Sequence, residues 1–137
     1  MDFQTEIETL IRARYPILYI ISSEEMRVQQ LIMEIARKRQ KKVFEWSYST
    51  GIVPAGTSIQ SQKNRNAATK EPLAALGQVI EQVEPAIFIF KDFHPFLTKG
   101  NYAVTRKLKE IALHLKNSYK TIVLVSPALE IPTELEK

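Results

Sequence analysis

Ile17-Leu18-Tyr19-Ile20-Ile21 is an unbroken apolar run rich in β-branched side chains, and Ser22-Ser23-Glu24-Glu25 follows it without a gap. Such a run fits a strand buried on both faces. Ser22 with Glu25 three positions on has the form of a capping box, and Val28, Leu31, Ile32 and Ile35 then fall on one helical stripe. Arg37 to Lys42 place cations at that helix's end, where its dipole favours them. A buried strand running straight into an amphipathic helix is the repeating unit of a parallel α/β sheet.

The flanking sequence repeats the unit. Phe3, Ile7, Leu10 and Ile11 predict a cover helix over 2–13, ended by the approach to Pro16. Val43 to Trp46, Ala86 to Phe90 and Thr121 to Val125 read as three further strands, the last stopped by Pro127. Between them, Pro72 with Leu73, Leu76, Ile80 and Val83 predicts a helix that ends before Pro85. Asn101 is placed to cap another, with the stripe Val104, Leu108, Ile111 and Leu115 and an end at Asn117-Ser118. Strands alternating with such helices pair in parallel through right-handed crossovers. The expected fold is therefore α/β, a three-layer αβα sandwich around a parallel sheet of about four strands. Fourteen of the twenty-four residues from Ser47 to Lys70 are Ser, Thr, Gly, Pro, Asn or Gln, which predicts a long mobile loop over 47–70. Ile131 to Lys137 read as the start of a further connection, as in a fragment of a longer chain.

Composition excludes several classes. The chain has 137 residues, enough for one core, and no cysteine, which removes thiol catalysis, zinc ribbons, iron–sulfur ligation and a secreted disulfide scaffold. No apolar run reaches the ~18 residues of a membrane span, and Asp2, Glu6 and Glu8 stand where a signal peptide needs cations. A soluble, intracellular protein is expected. The net charge of +4 raises the question of nucleic acid. The excess is split, with six basic and three acidic residues over 24–42 and six and four over 101–137, as solvated helix faces give. The aromatic side chains, several of them inside the strands, do not resemble a stacking platform for single-stranded nucleic acid, so nucleic acid is not the expected partner.

In open parallel sheets ligands bind beyond the carboxyl ends of the strands, so the turns there carry any chemistry. After the first strand, Ser22 to Glu25 lack the glycines and the lysine that wrap and reach phosphate oxygens, and two carboxylates would repel them. Gly51 to Ser58 match the spacing of GxxxxGKS/T, but Thr57 stands where lysine is required. After the third strand, Lys91-Asp92-Phe93-His94-Pro95-Phe96 places an acid where an NTPase holds magnesium, yet Phe93 replaces the glutamate that commonly polarises the attacking water. The simpler reading makes Asp92 a turn residue, Phe93 and Phe96 core plugs and His94 a turn histidine. Ser126 ends the fourth strand, where it could meet a ligand. His94 and His114 are the only histidines, and no G-x-S-x-G nucleophile elbow occurs.

Arg14-Tyr15-Pro16-Ile17-Leu18-Tyr19, Lys91-Asp92-Phe93-His94-Pro95-Phe96-Leu97 and Lys120-Thr121-Ile122-Val123-Leu124-Val125-Ser126-Pro127 come in an order that resembles the amino-terminal region of the AAA-type ATPases known as hypothetical chloroplast reading frame forty-six. That family occurs in algal plastids and cyanobacteria, and the resemblance covers nearly the whole chain. It implies that residues 1–137 form one degenerate P-loop NTPase (AAA)-like domain. Ile17 to Ile21 would be the P-loop strand, Ala86 to Asp92 the Walker B-like strand and Thr121 to Ser126 the sensor strand, in the order second, third, fourth, first. A complete AAA module, with ATP and magnesium as its cofactors, would follow in the parent protein and be this domain's first partner. A further protein or a second copy of the chain is the other partner to expect. The implied location is the cyanobacterial cytoplasm or the plastid stroma, with a link to photosynthetic physiology.

The resulting expectation is a non-catalytic regulatory or assembly domain of an AAA-type ATPase, without Walker A, catalytic residue, metal or cofactor of its own. The alternative is a nucleotide- or anion-binding sensor using the Walker B-like Asp92 and sensor-like Ser126, with Lys91 and His94 beside them. A weaker alternative is nucleic-acid binding through residues 37–42 with Lys63, Arg65 and Lys70.

Overall fold

The computed structural model describes residues 3–55, 67–97, 102–116 and 118–127. In chain order these form α1 (Phe3–Arg12), β1 (Ile17–Ile21), α2 (Glu25–Lys38), β2 (Lys42–Ser47), β3 (Gly51–Pro54), α3 (Pro72–Glu81), β4 (Ala86–Lys91), α4 (Tyr102–Leu115) and β5 (Lys120–Ser126). Short 3₁₀ turns cover Ala67–Thr69 and His94–Leu97. The sheet order is β1-β5-β4-β2-β3, parallel except for the β2–β3 pair. The four strands read from sequence thus stand in the implied order, with β1 at one edge.

Alternation along the strands divides the core. Leu18, Ile20, Ile87, Ile89, Val123 and Val125 pack with Ile7 and Ile11 of α1 and with Val28, Ile32, Ile35 and Ala36 of α2. Phe88, Phe90, Ile122 and Leu124 point the other way, onto Ala75, Leu76 and Val79 of α3 and Val104, Leu108, Ile111 and Leu115 of α4. Helices therefore cover both sheet faces, which is why Ala86 to Phe90 of β4 and Ile122 to Val125 of β5 are apolar on both faces.

The sheet departs from expectation at its far edge. It has five strands rather than about four and is mixed rather than parallel, because Gly51–Pro54 returns antiparallel along β2. The turn that allows this is knotted by Ser47 Oγ, 3.1 Å from both Ser49 Oγ and Thr50 Oγ1, and Gly51 takes φ 71°. Ile52 and Val53 are buried there. A four-residue strand between Gly and Pro is too short to show alternation, so composition alone reads as loop. The segment 47–70 is accordingly ordered at both ends, since Trp46 Nε1 donates to Thr69 O and Ile52 N donates to Thr69 Oγ1, each at 2.8 Å. Residues 56–66, including Lys63 and Arg65, lie outside the described residues, as do the Asn101 cap, Asn117 and Ile131 to Lys137.

Two local readings also change. The capping box does not form: Glu24 occupies the N-cap of α2 without a side-chain cap bond, and Ser22 Oγ accepts from Glu24 N at 3.0 Å. An offset of two residues puts the hydroxyl in a turn before the helix. In α3 the buried stripe is Pro72, Ala75, Leu76 and Val79, while Leu73 and Val83 are exposed. Ala75, outside the stripe read from sequence, belongs to the buried cluster.

Candidate functional site

The carboxyl ends of β1, β5, β4 and β2 lie side by side. Ile21 is in register with Ser126, and Ser22 N donates to Ser126 O at 2.9 Å. Lys91 is in register with Val125, whose carbonyl accepts from Asp92 N at 3.1 Å. The expected residues Lys91, Asp92 and Ser126 are therefore near one another in backbone. Their directions differ. Lys91 follows Ile87 and Ile89 on the α2 face, whereas Ser126 follows Ile122 and Leu124 on the α3–α4 face. His94 opens the 3₁₀ turn, and its side chain lies outside the described residues.

On the α2 face Lys91 Nζ donates to Glu45 Oε1, with only 14% and 12% of the two side chains exposed. Gln29 Nε2 of α2 lies 3.5 Å from Glu45 Oε2. Glu25, in the first turn of the same helix, is pushed above the ordinary carboxylate range, first by burial; Lys91 opposes that rise, and Asp92 and Glu45 add to it. A single lysine thus faces three carboxylates across the β4–α2 crevice. Glu25 was read from sequence as a cap residue and as a carboxylate that repels phosphate, and Glu45 not at all. The signal for Glu45 was an acid inside Val43-Phe44-Glu45-Trp46, legible only once the register sets Glu45 beside Ile89.

Asp92 then turns the chain. Its φ of 53° is left-handed, a conformation Asp tolerates better than most residues, and it delivers Phe93 into the opposite face, where 1% of it is exposed. Phe93 lies edge-on to Trp46 and Phe90 at 5.4 and 5.3 Å, Trp46 stacks on Phe90 at 5.3 Å, and Phe96 closes the cluster at 5.7 Å from Phe93. The most distinctive segment of the sequence is therefore an aromatic plug on one side and an ion pair on the other.

Among the described residues, nothing in this crevice is built like a phosphate cradle. Glu24 and Glu25 occupy the N-terminus of α2, where its dipole already favours them over an anion, and Lys91 is committed to Glu45. Gly51 to Pro54 of the P-loop-like spacing are a strand. Among the described residues no group of three or more His, Asp or Glu side chains is arranged to hold a metal ion. A shallow opening of about 540 Å³ lies beside β1, lined by Phe3, Ile21, Ser22, Glu24, Arg27 and Leu31 among others, and includes none of Lys91, Asp92 or Ser126.

The family model described as SpoVK-like AAA ATPase, N-terminal domain, matches residues 3–137. The chain belongs to this family. This SpoVK-like domain spans about a quarter of the length of the curated relatives it matches. The AAA domain-containing protein ycf46 of Trieres chinensis is 35% identical over 99% of this chain and 26% of the relative. Those of Guillardia theta, 33% identical over 98% and 26%, and Gracilaria tenuistipitata var. liui, 28% over 99% and 27%, are similar in the same way. No solved structure matches this SpoVK-like domain. No helix among its described residues is long and apolar enough to cross a membrane.

Proposed function

We propose that the chain is a non-catalytic regulatory or assembly domain of an AAA-type ATPase, a degenerate P-loop-like layer that binds protein rather than hydrolysing nucleotide. The observation that carries this reading is the β1–α2 turn. The helix N-terminus that would receive a phosphate bears Glu24 and Glu25, has no glycine, and faces a lysine already paired with Glu45. Its first partner is the AAA module of the same polypeptide, where ATP and magnesium act, in the plastid stroma or the cyanobacterial cytoplasm and in the service of photosynthetic physiology; the algal origin of the relatives supports the plastid setting.

Calorimetric titration with ATP and ADP, each with and without magnesium, tests it on the wild-type chain and on Asp92→Asn. Silence at millimolar nucleotide is expected. Magnesium-dependent heat that disappears in Asp92→Asn overturns the reading and makes the domain a nucleotide sensor centred on Asp92, with Lys91, His94 and Ser126 around it.

A further inference from the structure

The opposite end of the sheet carries a different chemistry. The starts of β1, β5, β4 and β2 are tied together there: Ile122 N donates to Pro16 O at 2.8 Å, Ala86 N to Tyr119 O at 3.3 Å and Lys42 N to Pro85 O at 3.1 Å. Three segments far apart in sequence meet on this end. Arg14, in the turn after α1, donates from Nη2 to Tyr119 Oη at 2.6 Å, with its guanidinium 4.1 Å above the Tyr119 ring centre. Lys41, after α2, donates to Tyr119 O at 3.2 Å. Arg39 reaches the same corner through its pair with Glu8 of α1 at 3.1 Å. Neither Arg14 nor Lys41 has a carboxylate partner among the described residues. Arg12 and Lys38 stand exposed in the last turns of α1 and α2, and Tyr15 and Tyr119 are 51% and 54% exposed.

We infer that this end, with Arg14, Lys41 and Arg39 around Tyr119, is a docking surface for the phosphodiester backbone of single-stranded nucleic acid. Compensation of helix dipoles accounts for cations in the last turns of α1 and α2. It does not account for Arg14 and Lys41 converging on one tyrosine beyond those turns. Lys41 sits below the ordinary lysine range, by burial first and then by the charges of Arg14 and Arg39, so these cations crowd one another and an anion would relieve them. Half-exposed tyrosines among cations add what a peptide carboxylate would not use, a face on which bases stack. Part of the charge excess meets at this end, from Arg12, Arg14, Lys38, Arg39 and Lys41, against which stand Glu8, paired with Arg39, and Glu84, paired with Lys42. The surface uses neither Lys63 nor Arg65, and it stands independently of the regulatory reading above.

Fluorescence anisotropy of a labelled twenty-nucleotide oligo(U), with oligo(dT) as a second arm, tests it on the 137-residue chain at several salt concentrations. At about 50 mM salt, Arg14→Gln/Lys41→Gln is expected to weaken binding at least fivefold and to lower the slope of log K against log salt by about 1.4, two charges at roughly 0.7 each. Lys107→Gln/Lys109→Gln on α4 leaves the slope unchanged, and Asp92→Asn leaves binding unchanged. Should the first pair melt early, Arg12→Gln/Lys38→Gln, which removes exposed cations, carries the same expectation. Absence of binding at 50 mM salt, equal loss from the α4 pair, or equal competition by polyglutamate of matched charge overturns the inference.

Discussion

Lys91 at the end of β4 reaches across the sheet to Glu45 of β2, and the ion pair they form is largely shielded from water. Parallel register makes the contact: Glu45 is opposite Ile89, and two residues further along the same face comes Lys91. Glu25 and Gln29 of α2 close over it. The pair takes up a cation at the strand ends that a phosphate could have used.

Lys91→Met is expected to destabilise the fold by about 3 kcal/mol, because it strands a shielded carboxylate beside Glu25. Lys91→Met/Glu45→Gln should recover at least half of that loss. Urea denaturation of the two variants measures both.

The raised Glu25 fixes the sign of a pH effect. The folded state holds the proton more tightly than the unfolded chain, so stability falls as pH rises from the ordinary carboxylate value through the raised folded one. Glu25→Gln should be more stable than wild type at pH 7, with the difference vanishing below about pH 4. Melting temperatures across that range decide it.

Asp92 serves the backbone first. Asp92→Asn, equally tolerant of a φ near 53°, should leave stability within about 0.5 kcal/mol of wild type, while a β-branched Asp92→Val should cost about 2 kcal/mol. Comparison of denaturation midpoints tests this and validates Asp92→Asn as a probe of chemistry alone.

Lys120 caps α3 from the start of β5, its Nζ donating to Val79 O, Ile80 O and Gln82 O at 2.9, 3.0 and 2.8 Å. Lys120→Met orphans those carbonyls and is expected to cost about 3 kcal/mol. Hydrogen exchange should show the loss of protection concentrated in α3 and the start of β5.

Trp46 is the single tryptophan and is buried against Phe90 and Phe93. Its emission should be blue-shifted in the native state and move to the red on unfolding. Trp46→Phe, losing the bond to Thr69 O and filling less space, should cost about 2 kcal/mol.

What the residue pattern determined by itself was the alternation of strands and covering helices, because Ala86–Phe90 and Thr121–Val125 are too apolar to face water and Val104, Leu108, Ile111 and Leu115 keep helical period; Ile17–Ile21 is a strand as read but not buried on both faces, since β1 is an edge where only Leu18 and Ile20 are buried and Ile21 is half exposed. The missing phosphate lysine after the first strand was equally legible, being a matter of composition at one turn. The roles of Phe93 and Phe96 as plugs and of Asp92 as a turn residue were legible for the same reason. Register and convergence were not. Gly51–Pro54 becomes a strand only because β2 offers a free edge, and Glu45 becomes Lys91's partner only because two strands forty residues apart align. Arg14, Arg39, Lys41 and Tyr119 share one corner because right-handed crossovers bring the ends of α1 and α2 and the start of β5 to the same end of the sheet. Sequence spacing carries periodicity within an element; proximity between elements is set by how the sheet pairs.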